Sequence, residues 1–171
     1  GNVGTNGAAI FSYGPLSIDD SVFTGNTAGY SSVISISLES SATITNSVIS
    51  GNSGTGISAG GSLDIHRTSI SNNDNSGVVS FGTINVTESF IFGNSAYSGA
   101  GLRAGGSGNL FIENSTISGN TASPGFGGGI NNQGTGTVTV INSTISGNTT
   151  GVLSSGGGVF ADRGDLTVEH S

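Results

Sequence analysis

Short stretches along the whole chain alternate apolar residues with other residues. Seven of them carry an apolar pair two positions apart: Leu16/Ile18, Ala42/Ile44, Leu63/Ile65, Ile84/Val86, Leu110/Ile112, Val138/Val140 and Leu166/Val168. A period of two is typical of a β-strand with one buried face. One more apolar residue follows six of these pairs: Phe23, Ile49, Ile70, Ile91, Ile117 and Ile145. A glycine-rich turn with a short apolar step precedes each pair, so each unit is predicted to hold two or three short strands separated by Gly/Asn/Ser turns.

These units are copies of one repeat. The segment "NSTISGNT" occurs at 114–121 and again at 142–149, and looser copies occur elsewhere. Each copy reaches a recurring asparagine: Asn26, Asn52, Asn73, Asn94, Asn120 and Asn148. The asparagines follow one another at intervals of 21 to 28 residues. The chain opens with "GN" and closes with the start of a further copy, so we expect residues 1–171 to be a single internal segment of a longer array, without visible caps.

One unit cannot bury its apolar side alone, so the units must stack. Stacking at about 4.8 Å pairs each strand in parallel with its equivalents above and below. Units of this length with variable turns favour an all-β, right-handed parallel β-helix of about seven coils, with 21–28 residues per coil. The recurring asparagine fits a bend between strands, because asparagine tolerates the left-handed conformation and its amide can bond to neighbouring backbone at each level as a ladder.

The amino-acid composition restricts the classes of partner that the chain is expected to bind. Charged residues make up 8% of the chain, the net charge is −7, and three arginines are its only strong cations. Nucleic acid and anionic membrane surfaces need clustered Lys or Arg, so neither is expected as a partner. No apolar run approaches the length of a membrane span, so no membrane insertion is expected.

The alignment places three candidate catalytic residues together. Asp64 and His66 point outward on one predicted strand, and Arg67 follows directly. An acid, an imidazole and a guanidinium could form a polysaccharide-cleaving site. The neighbouring rungs supply no second carboxylate, so the preferred interpretation is a solvated surface without catalytic residues. The enzyme remains the alternative.

Three aromatic residues of one unit, Phe90, Phe92 and Tyr97, are candidate ligand contacts, because exposed aromatic rings can stack on sugars or mark a contact with another domain. Columns of small hydroxyls raise a further alternative, an ice-binding surface. No cofactor and no metal site are expected. Calcium bound between successive coils would need an aspartate at a fixed place in every repeat, and none recurs here. A single calcium ion near Asp162/Asp165 or near Asp19/Asp20 is left open.

The repeats resemble those of polymorphic outer membrane proteins and, more widely, autotransporter passengers and other bacterial right-handed β-helix surface proteins. The resemblance lies in a glycine-rich step followed by an "FxxN"-like segment: 7–10 "GAAI" with 23–26 "FTGN", and 127–130 "GGGI" with 145–148 "ISGN". It implies a secreted or bacterial cell-surface protein with a structural or adhesin-like role. It also implies glycans or cell-surface ligands as partners, together with neighbouring domains or copies stacked on the ends of the solenoid. Related β-helices include polysaccharide lyases, so this fold alone does not settle function.

Overall fold

The computed structural model describes the chain from Gly1 to Ser171 except for Tyr30, and its regular structure there consists of short strands in four sheets. Sheet A contains Ile10–Ser12, Thr27–Ile36, Ser53–Ala59, Val78–Ser80, Leu102–Ala104, Ile130–Asn132 and Val159–Ala161. Sheet B contains Leu16–Asp19, Ala42–Thr45, Leu63–His66, Ile84–Thr87, Leu110–Glu113, Val138–Ile141 and Leu166–Glu169. Sheet C contains Val22–Thr24, Val48–Ser50, Ser69–Ser71, Phe90–Phe92, Thr116–Ser118 and Thr144–Ser146. Sheet D contains Ser95–Ala96, Thr121–Ala122 and Thr149–Thr150.

The strands stack as a solenoid. Each strand of a sheet pairs in parallel with the equivalent strand of the preceding and the following unit, and seven strands in sheet B correspond to six turns of chain from the first to the last. The sequence alignment predicted this register. Asp64, for example, pairs with Thr43 on one side and with Asn85 on the other. The predicted all-β, parallel stacked architecture is therefore confirmed.

The core consists of aliphatic columns. In sheet C, Ile49, Ile70, Ile91 and Ile117 lie one above another and are buried. Sheet B contributes both members of its inward pairs, buried from the second rung to the sixth. The last rung differs, because Leu166 and Val168 are 46% and 52% exposed. A core only one side chain deep on each wall explains how so few large residues suffice for this fold.

One strand departs from the regular repeat. Thr27 pairs with Ser53 and Ser32 pairs with Thr55. The first strand therefore takes five residues to advance from one pair to the next, whereas its partner strand takes two. The three extra residues form a bulge over residues 28–31 on sheet A. Gly54, with φ of 125°, faces this bulge, and a Cβ there would lie 2.8 Å from Cβ of Ala28 and 3.0 Å from the carbonyl oxygen of Ser31. Only a residue without a side chain leaves room for the bulge to pack.

Candidate functional site

The six recurring asparagines form one column inside the solenoid, which we call the asparagine ladder. Its members are Asn26, Asn52, Asn73, Asn94, Asn120 and Asn148. The side chain of Asn73 donates to Oδ1 of Asn94 at 2.9 Å, and the Asn73 backbone N–H donates to the same oxygen at 3.0 Å. Asn73 Nδ2 also donates to the carbonyl oxygen of Ile49, at 3.2 Å. Asn52, Asn94 and Asn120 repeat all three bonds, and the two end members make part of the set. The ladder therefore holds the turn after sheet C to its neighbours.

The ladder packs against a column of glycines, each of which stands directly before a buried apolar residue of sheet A. A Cβ on Gly77 would lie 3.0 Å from Nδ2 of Asn94, 2.8 Å from the carbonyl oxygen of Gly101 and 3.2 Å from Cγ2 of Ile70. Gly56 stands in the same relation to Asn73, at 3.3 Å. The glycine-rich step of the repeat is therefore a packing requirement, because a larger residue would push the backbone away from the ladder.

The expectation that the recurring asparagines adopt the left-handed conformation is wrong. Positive φ is found instead one residue earlier, at Gly25, Gly51, Asn72, Gly93, Gly119 and Gly147. A second left-handed column occupies the bend between sheets B and C: Asp20, Asn46, Arg67, Glu88, Asn114, Asn142 and His170. The ladder asparagines hold their places through buried amide bonds. The left-handed turn falls to the preceding residue, where glycine adopts it without strain.

Sequence reasoning also missed a second ladder, made of hydroxyls at the bend between sheets B and C. Its buried members are Ser47, Thr68, Ser89, Ser115 and Ser143. The hydroxyl of Ser89 accepts the backbone N–H of Thr68 at 3.1 Å and donates to the carbonyl oxygen of Thr87 at 2.7 Å. The signal was present in the repeat, because a serine or threonine stands five residues before each ladder asparagine.

The structure brings Asp64 and His66 onto one outward face of sheet B, and each meets a partner from the next rung. Asn85 donates to Oδ1 of Asp64 at 2.6 Å, and Nδ1 of His66 lies 2.9 Å from the hydroxyl oxygen of Thr87. Arg67 lies at the bend, with φ of 47°, and its Nε donates to Oε2 of Glu88 at 3.0 Å. The guanidinium of Arg67 is thus ion-paired with the carboxylate of Glu88.

Hydrogen bonds also set the ionisation of two exposed carboxylates beside this face. The hydrogen bond from Arg67 lowers the pKa of Glu88, and the charge of Arg67 acts in the same direction. Hydrogen bonds from Thr45 and Asn46 lower the pKa of Asp19. Both carboxylates are therefore held in the charged form, which does not suit a general acid.

Two of the carboxylates considered for calcium contact other side chains of the chain. Asp19 accepts the Thr45 hydroxyl at 2.5 Å and the Asn46 amide at 2.9 Å, and Asp162 lies 3.4 Å from Nε of Arg163. Within the described residues, no three His, Cys, Asp or Glu side chains lie close enough together to hold a metal ion. No helix in the same part of the chain is long and apolar enough to cross a membrane.

The candidate aromatic residues are exposed on the outer surface. Phe90 and Phe92 are 55% and 38% exposed on sheet C, and Tyr97 is 71% exposed in the turn that leads to sheet A. Phe90 lies between Ser69 and Thr116 in its column, so the two rings interrupt the rows of small hydroxyls that an ice-binding surface needs.

A shallow cavity lies elsewhere, on the outer face of sheet A beside the bulge. Its volume is about 220 Å³, and the described residues that line it are Ser31, Ser32, Ser35, Thr55, Ser58 and Val79. Sequence reasoning did not find it, since the serines of "YSSVISIS" look like ordinary turn and strand residues until the bulge folds over the sheet.

Comparison with known proteins agrees with this architecture. A sequence model of the family described as the right-handed β-helix region matches residues 61–171, and the chain belongs to that family. The predicted right-handed β-helix is thereby confirmed. No curated protein and no solved structure matches the chain.

Proposed function

We propose that this chain is a non-catalytic, structural or adhesin-like solenoid module of a secreted or bacterial cell-surface protein. The observation that carries the proposal is the pairing of exposed polar groups across rungs. Asp64, His66 and Arg67 each contact a side chain of the next rung. Side chains that are paired with the next rung in this way are not free to meet a substrate.

The proposed role is geometric. A continuous parallel ladder with buried asparagine and hydroxyl columns gives a stiff rod that presents its turns and outer faces laterally. The chain contains no lysine and three arginines, which leaves few sites for trypsin-like proteases. Partners of two kinds fit this role: glycans or cell-surface ligands on the outer faces, where Phe90, Phe92 and Tyr97 are exposed, and neighbouring domains or copies that stack on the solenoid.

A depolymerisation assay tests the proposal. The chain is incubated with polygalacturonate, and the release of unsaturated products and of reducing ends is followed. We expect no turnover above buffer. Turnover that disappears in both Asp64→Asn and His66→Ala but persists in Thr167→Ala, an exposed position of the same outward column of sheet B, would contradict the proposal.

A polysaccharide-cleaving enzyme is the second candidate, and one observation favours it. Asp64 and His66 lie two residues apart on one outward face, as a base and a neighbouring acid would. The carboxylate and the imidazole would have to leave Asn85 and Thr87 to act. The same assay decides between the two candidates, because only an enzyme depends on both side chains for product release.

A further inference from the structure

We infer that the cavity beside the bulge on sheet A binds one ring of a neutral saccharide. The inference rests on the adhesin-like part of the proposed function and extends it to a specific site and ligand class. The cavity lies on sheet A, away from the aromatic residues of sheet C and the charged face of sheet B.

The walls of the cavity come from two parts of the fold. The floor is the outward column of sheet A, in which Ser35 pairs with Ser58 and Ser58 with Val79. Ser31, in the bulge, and Ser32, which ends it, form one side. The cavity therefore exists because three extra residues lie opposite Gly54, and the regular coils do not repeat this arrangement.

Two of the lining hydroxyls are available for a ligand. Ser32 and Thr55 are 2% and 7% exposed, so both side chains are almost wholly enclosed. In the part of the chain that the structure describes, neither hydroxyl has a hydrogen-bond partner, whereas the buried serines and threonine of the hydroxyl ladder are all bonded. Among the described residues, the fully buried side-chain polar atom that lacks a partner is Oδ1 of Asn131, so the two hydroxyls are reached from the cavity, where water or a ligand can pair with them.

The lining selects the chemistry of that ligand. None of the six described lining residues carries a charge, and the chain as a whole is at −7. An anion would find no cationic donor, and a cation would find no carboxylate. An apolar molecule would displace water and leave the hydroxyls unpaired, which is unfavourable. A sugar ring fits, because its hydroxyls both donate and accept, as those of serine and threonine do. Val79 offers an apolar contact for the C–H groups of the ring.

The size of the cavity fits one ring, and its surroundings fit a chain. Pockets for drug-sized ligands measure about 300–1,000 Å³, so 220 Å³ suits a single small ring. Phe11 pairs with Ser35, one rung beyond the cavity, and is 41% exposed. Its ring contacts that of Tyr13 edge to face, with centroids 4.8 Å apart. A second sugar ring leaving the cavity in this direction would meet an aromatic surface.

Ligand-observed NMR on the intact chain tests the inference. The probes are glucose, mannose, galactose and N-acetylglucosamine, each alone and as a linear homo-oligosaccharide, with oligogalacturonate as the charged comparison. We expect at least one neutral probe to bind more tightly than oligogalacturonate does. The double variant Ser32→Ala/Thr55→Val should weaken that binding by about tenfold or more. Ser58→Leu, which fills the cavity from an outward position, should abolish it.

Matched variants separate the sources of the signal. Thr43→Val, on the exposed face of sheet B, should leave binding unchanged. If the natural ligand is a chain of sugars, Phe11→Ala should weaken the binding of an oligosaccharide about threefold and leave the binding of the free sugar unaffected. If the natural ligand is a free sugar, Phe11→Ala should affect the binding of neither. Thermal unfolding of each variant shows that the fold is kept.

Three results would overturn the inference: no binding by any neutral probe, binding that survives both cavity variants, or binding lost only in Phe90→Ala and Phe92→Ala. The proposed non-catalytic role would survive all three. Turnover of polysaccharide, in contrast, would contradict that role and leave the cavity assignment standing.

Discussion

The asparagine ladder and the outer face of sheet B use the same device in two settings. In both, a side chain of one rung bonds to the side chain of the next: Asn73 to Asn94 inside, at 2.9 Å, and Asn85 to Asp64 outside, at 2.6 Å. Asn94 is 1% exposed, whereas the outer pairs meet solvent. A broken bond inside leaves buried groups unpaired, while water replaces a broken bond outside. Similar geometry therefore implies very different contributions to stability.

The largest expected effect comes from breaking the ladder at its centre. Asn94→Ala removes the acceptor used by the backbone and side chain of Asn73 and the donor used by the carbonyl of Ile70. We expect the free energy of unfolding to fall by about 3–5 kcal/mol, because at least two buried groups lose their partners. Urea denaturation followed by circular dichroism measures the change.

The matched control is Asn85→Ala on the same rung. It removes a single bond to an exposed carboxylate, so the expected change is within about 0.5 kcal/mol. Asn148→Ala should fall between the two, because Asn148 is only partly buried and bonds to Asn120 and Ile117. Equal losses for Asn94 and Asn85 would show that burial does not separate the two columns.

A smaller effect is expected where the ladder meets backbone. Gly77→Ala places a methyl group 3.0 Å from Nδ2 of Asn94 and 2.8 Å from the carbonyl oxygen of Gly101. The coils must separate slightly, at a cost of about 1–3 kcal/mol. Gly14→Ala is the control, because its methyl group would find nothing within 4 Å. A neutral or stabilising Gly77→Ala, measured by the same denaturation, would refute the close packing of glycine on the ladder.

The repeated parts of this fold are readable from sequence, and the exceptional parts are not. The alternation of apolar residues shows which residues of successive units stack on one another, so the inward position of Ile70 and its neighbours could be predicted from the sequence. The left-handed residue was misplaced by one position, because glycine and asparagine both occur at that turn and the pattern does not say which bends. The cavity depends on how three extra residues near Ser31 fold over Gly54. A single copy of a feature offers no repeat against which to align it.

The pairing of the candidate catalytic side chains was equally out of reach. Sequence placed Asp64 and His66 on one strand, but the reach of Arg67 to Glu88 depends on backbone at φ 47° in the bend. The alignment treated Arg67 as part of the same face. Long, flexible side chains on the surface follow local backbone and solvent, and no hydrophobic pattern reports their direction.

The smallest expected effect tests the outer face directly, through pH. The Arg67 hydrogen bond holds the pKa of Glu88 below its ordinary value. A depressed carboxylate pKa stabilises the fold above the pKa of the unfolded chain, and this contribution is lost as the pH falls through the folded pKa. Glu88→Gln should therefore lower Tm by no more than about 2 °C near neutral pH, and the difference from the wild-type chain should shrink in acid.

Thermal unfolding at neutral pH and at pH values through the carboxylate range gives this comparison. Glu39→Gln is the control, because Glu39 is exposed and has no ion pair among the described residues. High salt should remove the Glu88 effect as well, because the Arg67–Glu88 pair is about half exposed and is screened by ions. A Tm loss in Glu88→Gln that is as large as that in Asn94→Ala, and insensitive to salt, would contradict this comparison. It would mean that exposed side-chain pairs on sheet B stabilise the stacked coils as much as the buried asparagine ladder does.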